Sequence, residues 1–463
     1  MDENDHRSKL RAAAAPGARV PDDALVEMFE LLPAKHLHRC KCVSKAWCGL
    51  VTDPLHRERY AQTLAGFLHA DIDVDTAAEG EIGGGVFESC REGDGDGDGG
   101  AESSLGACWH VMLSKRRITR RFINVSRMAE PLIDASFSFL PPPPKPSTVA
   151  GAGFRDVILD ARDGLVLLAR VRRHEAPDLH PPECYLVCNP ATARWASVPA
   201  SGWAPSASQQ MTRTFLLFDA AASPHAFHLV QFWLDEMDAV RAVHTYSSAG
   251  GAWTNRVIPW LDGGWRNWGR AMALIQPGTG AAVADGLLHL VVDTDGTTGP
   301  NNLVAVDEEG STRRNIPLPR REVAEKDWHS VFVARSQGRL HYVMCVRPPH
   351  GRLSEEHPLK LLVWVLEDRD AGEWVLKHTV SFPELFGRIA CQFRVEYSVV
   401  AVHPDGNWVF FVRHWDRKLV AYDMDRREVL VVADLGAGGE LGDELPTPYV
   451  PLYSESSALT NMQ

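Results

Sequence analysis

The chain has 463 residues, of which 45% are hydrophobic and 23% charged, a composition that excludes a chain disordered throughout. At about 150 residues per domain, this length indicates roughly three domains, or one large repeat domain with an appendage. The net charge of −12 argues against broad nucleic-acid binding, and no apolar run reaches the roughly 18 residues of a membrane span.

The first residues carry charges and then small side chains, without the apolar stretch of about 7–15 residues that a secretory signal requires. Nine cysteines are an odd number spread thinly over the chain, which favours reduced thiols over a disulfide framework. We therefore expect a disordered N-terminus over residues 1–19 and a cytoplasmic or nuclear location. Neither a membrane nor nucleic acid is expected among the partners.

Residues 20–69 predict a small helical domain. The first predicted helix ends near Pro33 and has an apolar face of four residues: Leu25, Met28, Phe29 and Leu32. A short second helix contains Leu37, a third is capped by Ser44 and contains Trp47, and a fourth carries four apolar residues: Tyr60, Leu64, Phe67 and Leu68. About 50 residues of short helices bury too little surface to be stable alone, so this domain is expected to pack on a partner or on the rest of the chain.

Residues 71–105 predict an acidic, glycine-rich linker, because they include eleven acidic residues and only one basic residue, Arg91. The Asp-Gly repeat that begins at Asp94 resembles the start of a calcium loop. Its twelfth position, however, is Leu105, where a bidentate Glu is required, so calcium is not expected. Limited proteolysis should cut the chain first between residues 75 and 104.

From residue 106 to 455, short β-type runs alternate with turn residues. A strand–turn–strand pattern recurs in steps of 58 to 60 residues, with starts at Tyr185, Val243, Leu303, Leu361 and Leu419. This repeat predicts a β-propeller with five visible blades and a sixth formed by residues 106–140, completed by the C-terminal YVPLYSES. The predicted fold class is α+β and multidomain: a small helical domain, then an all-β, propeller-like domain of about six blades and a tail at residues 456–463.

Tryptophans in this region have two predicted uses. Trp195, Trp253 and Trp374 occupy equivalent turn–strand positions and are expected to pack between blades. A second group lies in a glycine-rich segment that combines residue types enriched at interfaces: Trp260, Trp265, Arg266 and Trp268. We predict that this group contacts a target protein, with packing between blades as the alternative.

No catalytic motif was found, so no catalytic residue and no cofactor are predicted. Four possible ligands lie close together, but their spacing does not fit zinc, and no metal is predicted: His36, His38, Cys40 and Cys42. Five cations are typical of an import signal or a polyanion-binding patch, although a solvated strand edge is favoured: Lys115, Arg116, Arg117, Arg120 and Arg121.

Residues 20–47 resemble an F-box, with a starting Pro21, an apolar helix, Leu32-Pro33 and then Val43-Ser44-Lys45-x-Trp47. Downstream pieces such as FINVS, SFSFLPPP and YLVCNPATARW look like the associated β-propeller domain of the large plant F-box family. Two features depart from the family pattern. Val20 stands where the family commonly has Leu, and the acidic insert is longer than a simple hinge.

The resemblance implies a non-catalytic substrate-recognition subunit of an SCF-type ubiquitin ligase. The head would bind a Skp-family adaptor, and through it a cullin-RING ligase, while the propeller would bind an unknown target. The implied adaptor-binding residues are Pro21, Leu25, Leu32, Pro33, Leu37, Val43 and Trp47. Two alternatives stay open: a scaffold that binds the adaptor without causing degradation, and a glycan-binding or enzymatic propeller.

Overall fold

In the computed structural model, the chain divides into two compact units, Met1–Gln62 and Thr63–Gln463. Each unit is described by itself. The structure describes residues 20–30, 32, 34–41, 43–52, 56, 64–74, 116–125, 133–143, 153–173, 175–203, 211–220, 223, 225–235, 240–256, 279–292, 302–319, 331–348, 353–436, 445–452 and 456–459. The predicted linker beyond residue 74 and the protease-sensitive stretch lie outside these residues.

The described part of the first unit contains three short helices, α1 (Asp22–Glu30), α2 (Ala34–Cys40) and α3 (Lys45–Thr52). Helix α1 has Asp22 and Asp23 in its first turn, where acidic side chains interact favourably with the positive end of the helix dipole. The predicted cap of α3 is confirmed, because the Ser44 hydroxyl accepts a hydrogen bond from the Trp47 amide at 3.1 Å.

The second unit contains six antiparallel sheets, five of four strands and one of three. The first three blades are blade 1, with β1 (Gly66–Val74), β2 (Arg116–Asn124) and β23 (Thr447–Tyr449); blade 2, with β3 (Phe154–Arg162), β4 (Leu165–Arg172), β5 (Cys184–Asn189) and β6 (Arg194–Pro199); and blade 3, with β7 (Met211–Leu217), β8 (His228–Leu234), β9 (Val240–Ser247) and β10 (Ala252–Arg256).

The remaining blades are blade 4, with β11 (Ala281–Ala284), β12 (Leu287–Val292), β13 (Asn302–Val306) and β14 (Thr312–Pro317); blade 5, with β15 (Val331–Ser336), β16 (Arg339–Val346), β17 (Lys360–Asp368) and β18 (Glu373–Ser381); and blade 6, with β19 (Tyr397–Val402), β20 (Trp408–Arg413), β21 (Lys418–Asp423) and β22 (Glu428–Asp434). A short helix, α4 (Phe382–Phe386), connects blades 5 and 6.

The blades form a closed ring. The inner strand β23 contacts the inner strands of both neighbouring blades, β3 and β19. Six buried apolar clusters lie between successive blades, one at each junction including that of blade 6 with blade 1. The predicted six-bladed propeller is therefore confirmed, and each step of the sequence repeat corresponds to one blade.

Strand β1 corrects the sequence analysis. The predicted fourth helix is wrong over residues 66–69, and the residues that begin the predicted linker, 71–74, continue the same strand. Phe67 and Leu68 are both buried, Phe67 in the cluster toward blade 6 and Leu68 in the cluster toward blade 2. When both faces of a strand are buried, its sequence is a continuous run of apolar residues. The spacing of apolar residues alone cannot distinguish such a strand from a buried helix. Gly66 permits the close pairing, since a Cβ there would lie 2.0 Å from the Ile123 carbonyl oxygen.

The C-terminal segment completes blade 1, as the sequence predicted. Tyr449 pairs with Gly66, which joins the two ends of the propeller in one sheet. Of residues 106–140, only β2 contributes a strand among the described residues, whereas residues 133–140 form turns packed between blades 1 and 2. Beyond β23, the carbonyl of Leu452 accepts a hydrogen bond from the Asn189 side chain at 2.8 Å. Leu459 is buried between blades 2 and 3.

Trp195, Trp253 and Trp374 pack between neighbouring blades, as predicted, and two of them also join blades through their indole nitrogens. Trp253 in blade 3 donates to the Pro199 carbonyl at the end of blade 2, at 2.8 Å. Trp374 in blade 5 donates to the Pro317 carbonyl at the end of blade 4, at 3.0 Å. The repeated geometry shows that the outer strand of one blade is fastened to the outer strand of the preceding blade.

We expect Trp253→Ala to lower the free energy of unfolding by about 3 kcal/mol, because the change removes ring contacts with Tyr185 and Tyr246 as well as the hydrogen bond. Trp253→Phe keeps part of the ring contact and should cost about half as much. Urea denaturation measures both values. Val375→Ala, at an exposed position, is the control, and an Ala variant as stable as that control would contradict this role.

Five histidines are buried among the described residues of the propeller, and burial lowers the pKa most strongly for three of them: His289, His341 and His403. Burial lowers the pKa of His289 and of His341 to about 4. Burial also lowers the pKa of His403, whose Nδ1 accepts hydrogen bonds from the amides of Asp405 and Gly406 at 3.1 and 2.9 Å. Only an unprotonated nitrogen can accept those bonds, so the folded propeller keeps this histidine neutral.

We expect these histidines to make the folded state less stable as the pH falls from 7 to 5. In the unfolded chain these imidazoles are protonated below about pH 6.5, whereas in the folded chain they stay neutral until about pH 4. Their contribution to stability is therefore full above about pH 6.5 and is lost as the pH falls below it. At pH 5 the loss is about 2 kcal/mol for His289. Urea denaturation at pH 7 and pH 5 measures this effect. Between these pH values, the free energy of unfolding of His289→Asn should fall by about 2 kcal/mol less than that of the unsubstituted protein.

Other buried groups also change the stability with pH. Burial raises the pKa values of Asp160 and Asp163, so these carboxyl groups make the folded state more stable as the pH falls. Both are present in His289→Asn as well, so the difference between the two proteins reports the histidine alone. An unchanged difference between pH 7 and pH 5 in His289→Asn would show that the histidine does not carry the effect.

Candidate functional site

Helices α1, α2 and α3 surround a small core that includes five buried residues: Leu25, Val26, Phe29, Leu37 and Val51. Leu32 and Trp47 pack against this core and remain half-buried. The Trp47 ring meets Phe29 edge to face, with ring centroids 5.1 Å apart. The core fixes α1 and α3 relative to each other, so the unit has its own preformed shape.

Among the described residues of this unit, four apolar side chains larger than alanine are exposed: Val20, Pro21, Met28 and Val43. Met28 on α1 is 56% exposed, and Val43, just before α3, is 62% exposed. Exposed apolar side chains next to a preformed core are what a protein partner can bury without rearranging the unit. These residues form the candidate interaction surface of the first unit.

The adaptor-binding residues that the sequence predicted differ in their exposure to solvent. Leu25 and Leu37 belong to the internal core, Leu32 and Trp47 are partly exposed, and Pro21 and Val43 are exposed. Pro33 lies outside the described residues. The set therefore mixes residues that build the unit with residues available to a partner.

The sequence analysis placed Met28 on the same apolar face of the first helix as Leu25 and Phe29, but in the structure its side chain is exposed. The buried residues of α1 are Leu25, Val26 and Phe29, so the core-facing stripe runs through Val26 and leaves Met28 outside. The adjacent apolar residues Leu25 and Val26 indicate this orientation of α1, because positions 25, 26 and 29 lie on one side of a helix.

The possible metal ligands in and just after α2 also differ in their exposure. Cys40 is half-buried and packs against the core, and burial raises the pKa of its thiol. His36 is exposed, while the side chains of His38 and Cys42 lie outside the description. In the part of the chain that the structure describes, no three His, Cys, Asp or Glu side chains converge on a metal position.

The basic cluster contains two arginines that connect blades. The Arg120 guanidinium donates to the Asp156 carbonyl of blade 2, and that of Arg121 donates to the Asp434 carbonyl of blade 6 at 2.7 Å. Both arginines are half-buried, which corrects the favoured solvated edge for these two positions. The side chains of Arg116 and Arg117 and all of Lys115 lie outside the description.

Charged residues also meet at the inner strands. Asp160 is paired with Arg162 at 3.0 Å and accepts hydrogen bonds from two main-chain amides at 2.9 and 3.1 Å. Arg335 of blade 5 lies 3.7 Å from Asp219 at the end of β7 in blade 3. These contacts connect blades, and they engage both carboxylates in ion pairs.

The predicted target-binding residues Trp260, Trp265, Arg266 and Trp268 lie outside the described residues, between β10 and β11. Among the residues that the structure does describe, no helix has the length and hydropathy needed to cross a bilayer.

Two solved structures show distant similarity to this chain. An α-L-arabinanase of Penicillium chrysogenum is 9% identical, with a TM-score of 0.35 over 66% of this chain and 83% of that chain. The GH93 α-L-arabinofuranosidase of Fusarium graminearum is 9% identical, with a TM-score of 0.37 over 66% of this chain and 82% of that chain. At these values the similarity carries no argument about function. No curated protein matches the chain.

Two family models match. Residues 18–62 match the F-box-like model, which covers the helices of the first unit. Residues 133–441 match the model described as "F-box protein At3g26010-like, beta-propeller", which covers blades 2 to 6 and more than half of the chain. The chain therefore belongs to the family of F-box proteins that carry an At3g26010-like β-propeller.

Proposed function

We propose that this protein is the substrate-recognition subunit of an SCF-type ubiquitin ligase. Its first unit binds a Skp-family adaptor, which links it to a cullin-RING ligase, and its propeller binds the target protein. The chain itself performs no bond-making step in this proposal. It acts by proximity, because holding a target lysine near the ubiquitin-carrying enzyme raises the effective concentration of the reacting groups.

The exposed apolar residues of the first unit are the observation that carries the proposal. Met28 and Val43 lie on a preformed helical core, and neither is needed to fill that core. Apolar anchors at the centre of an interface commonly contribute about 2 kcal/mol each. Two such anchors supply about 4 kcal/mol, so contacts around them must supply the rest of a micromolar affinity.

Reconstitution with purified components tests the proposal. We expect the full chain and a Skp-family adaptor to co-elute as an equimolar complex, and we expect this complex to recruit a cullin-RING ligase. A full chain that elutes separately from every Skp-family adaptor tried would contradict the proposal. An assembled ligase that transfers no ubiquitin to proteins captured by the propeller would instead indicate the non-degradative scaffold.

A further inference from the structure

The outer edge of blade 6 is formed by β22, the last strand in the order β19-β20-β21-β22. Its centre is an apolar run, Val429–Ala433, in which Leu430 is 39% and Val431 58% exposed. An outermost strand presents unpaired main-chain donors and acceptors on one side. Among the described residues, no strand pairs with the outer side of β22, and this side of the blade also carries exposed apolar side chains.

The outer strands of blades 4 and 5 carry charges in their central positions. Strand β14 has Arg313 and Arg314, and β18 has Lys377. Such charges prevent the addition of another strand, because pairing would bury them. In β22 the charged residues lie only at the two ends, Glu428 and Asp434. Its centre lacks the feature that protects these two other edges.

The described strands of blade 1 do not cover Leu430. Leu430 pairs with Ala421, which lies on the face of blade 6 that packs against Phe67 and Ile123 of blade 1. Blade 1 has three strands in the described part of the chain, where each other blade has four. No described outer strand of blade 1 therefore lies beside Leu430.

The charges at the strand ends indicate what could pair there. A second copy paired antiparallel about Val431 would place Glu428 opposite Asp434 at both ends, and like charges in opposing positions destabilise a sheet. A strand with Lys or Arg at its ends would instead form two favourable pairs. The Arg121 guanidinium already donates to the Asp434 main-chain oxygen at 2.7 Å, so Asp434 offers an added strand its side-chain charge rather than this carbonyl.

We propose that the outer edge of β22 binds an extended segment of a partner protein as an added antiparallel strand. The segment is apolar at its centre and carries basic residues at its ends. Main-chain hydrogen bonds supply affinity, while the alternating apolar contacts and the end charges supply selectivity. This interaction does not depend on adaptor binding by the first unit.

A fluorescein-labelled peptide, Lys-Val-Thr-Val-Thr-Val-Lys, is the probe, and fluorescence anisotropy with the full chain measures its binding. We expect saturable binding that is at least tenfold weaker for the same peptide with Glu at both ends. Val431→Lys should weaken binding at least tenfold, because it places a charge in the edge. The matched control is Val375→Lys on the outer strand β18, where the starting valine is 45% exposed, and binding should not change.

Glu428→Lys provides a second test that does not depend on the apolar centre, since it should shift the preference toward the Glu-ended peptide. Three results would overturn the proposal. The first is equal binding of both peptides, or of neither. The second is a dimer of the full chain that Val431→Lys dissociates, which would assign the edge to a second copy. The third is much tighter probe binding after deletion of residues 76–114, which would show that the chain covers its own edge.

Discussion

A chain that ends at residue 444 is expected to lose the folded propeller. The truncation removes β23, the inner strand of blade 1 that pairs with β1 and contacts β3 and β19. Tyr449 is fully buried between blades 1 and 2, and deletion of one such aromatic residue costs about 3–5 kcal/mol. Loss of Leu459 adds a further large apolar deletion. The total approaches the 5–15 kcal/mol that stabilises a typical domain, so global unfolding is expected.

Thermal unfolding followed by circular dichroism measures this effect. A chain ending at residue 459 is the matched control, since it keeps β23, the Asn189–Leu452 hydrogen bond and Leu459. We expect this control to unfold cooperatively near the temperature of the full chain. A cooperative transition of similar midpoint in the chain ending at 444 would show that the C-terminal strand does not close the ring.

The double variant Met28→Asp, Val43→Asp is expected to weaken adaptor binding at least a hundredfold, which corresponds to about 3 kcal/mol. Burying two carboxylates in an apolar interface is unfavourable, whereas in the free protein both side chains lie in water. The helical core should therefore stay folded. The equilibrium dissociation constant of the purified complex is the quantity to measure.

Exposed valines of the propeller provide the control for this variant. Val375→Asp with Val395→Asp introduces the same two charges at exposed apolar positions outside the first unit and should leave adaptor binding unchanged. Leu25→Asp with Leu37→Asp would be a poor test, because both residues belong to the core and the unit would unfold. Unchanged binding by a folded Met28→Asp, Val43→Asp variant would exclude these residues as anchors.

The sequence predicted the blades because each blade is local. Its strands follow one another within about 60 residues, each joined to the next by a turn, so the same strand–turn–strand signal recurs at a fixed step. Blade 1 breaks this rule, because Gly66 pairs with Asn124 on one side and with Tyr449 on the other. No local window contains those partners, and the apolar spacing of Leu64, Phe67 and Leu68 also fits a helix.

The interaction surface was harder to predict than the fold, because apolar residues that build a core and those that bind a partner look alike in a sequence. Leu37 and Val43 were both assigned to the adaptor, yet Leu37 is buried inside the unit and Val43 is exposed. The basic cluster was equally ambiguous. A run of cations does not reveal that Arg120 and Arg121 reach the carbonyls of two different blades.

Calorimetric titration of the full chain with a Skp-family adaptor tests the central claim most directly. We expect a dissociation constant below about 1 µM, equivalent to about −8 kcal/mol, and a negative heat-capacity change because apolar surface is buried. Removal of residues 1–62 should abolish the signal, since the helices that match the F-box lie there. Absence of binding by the folded full chain, or binding that persists without residues 1–62, would contradict the claim.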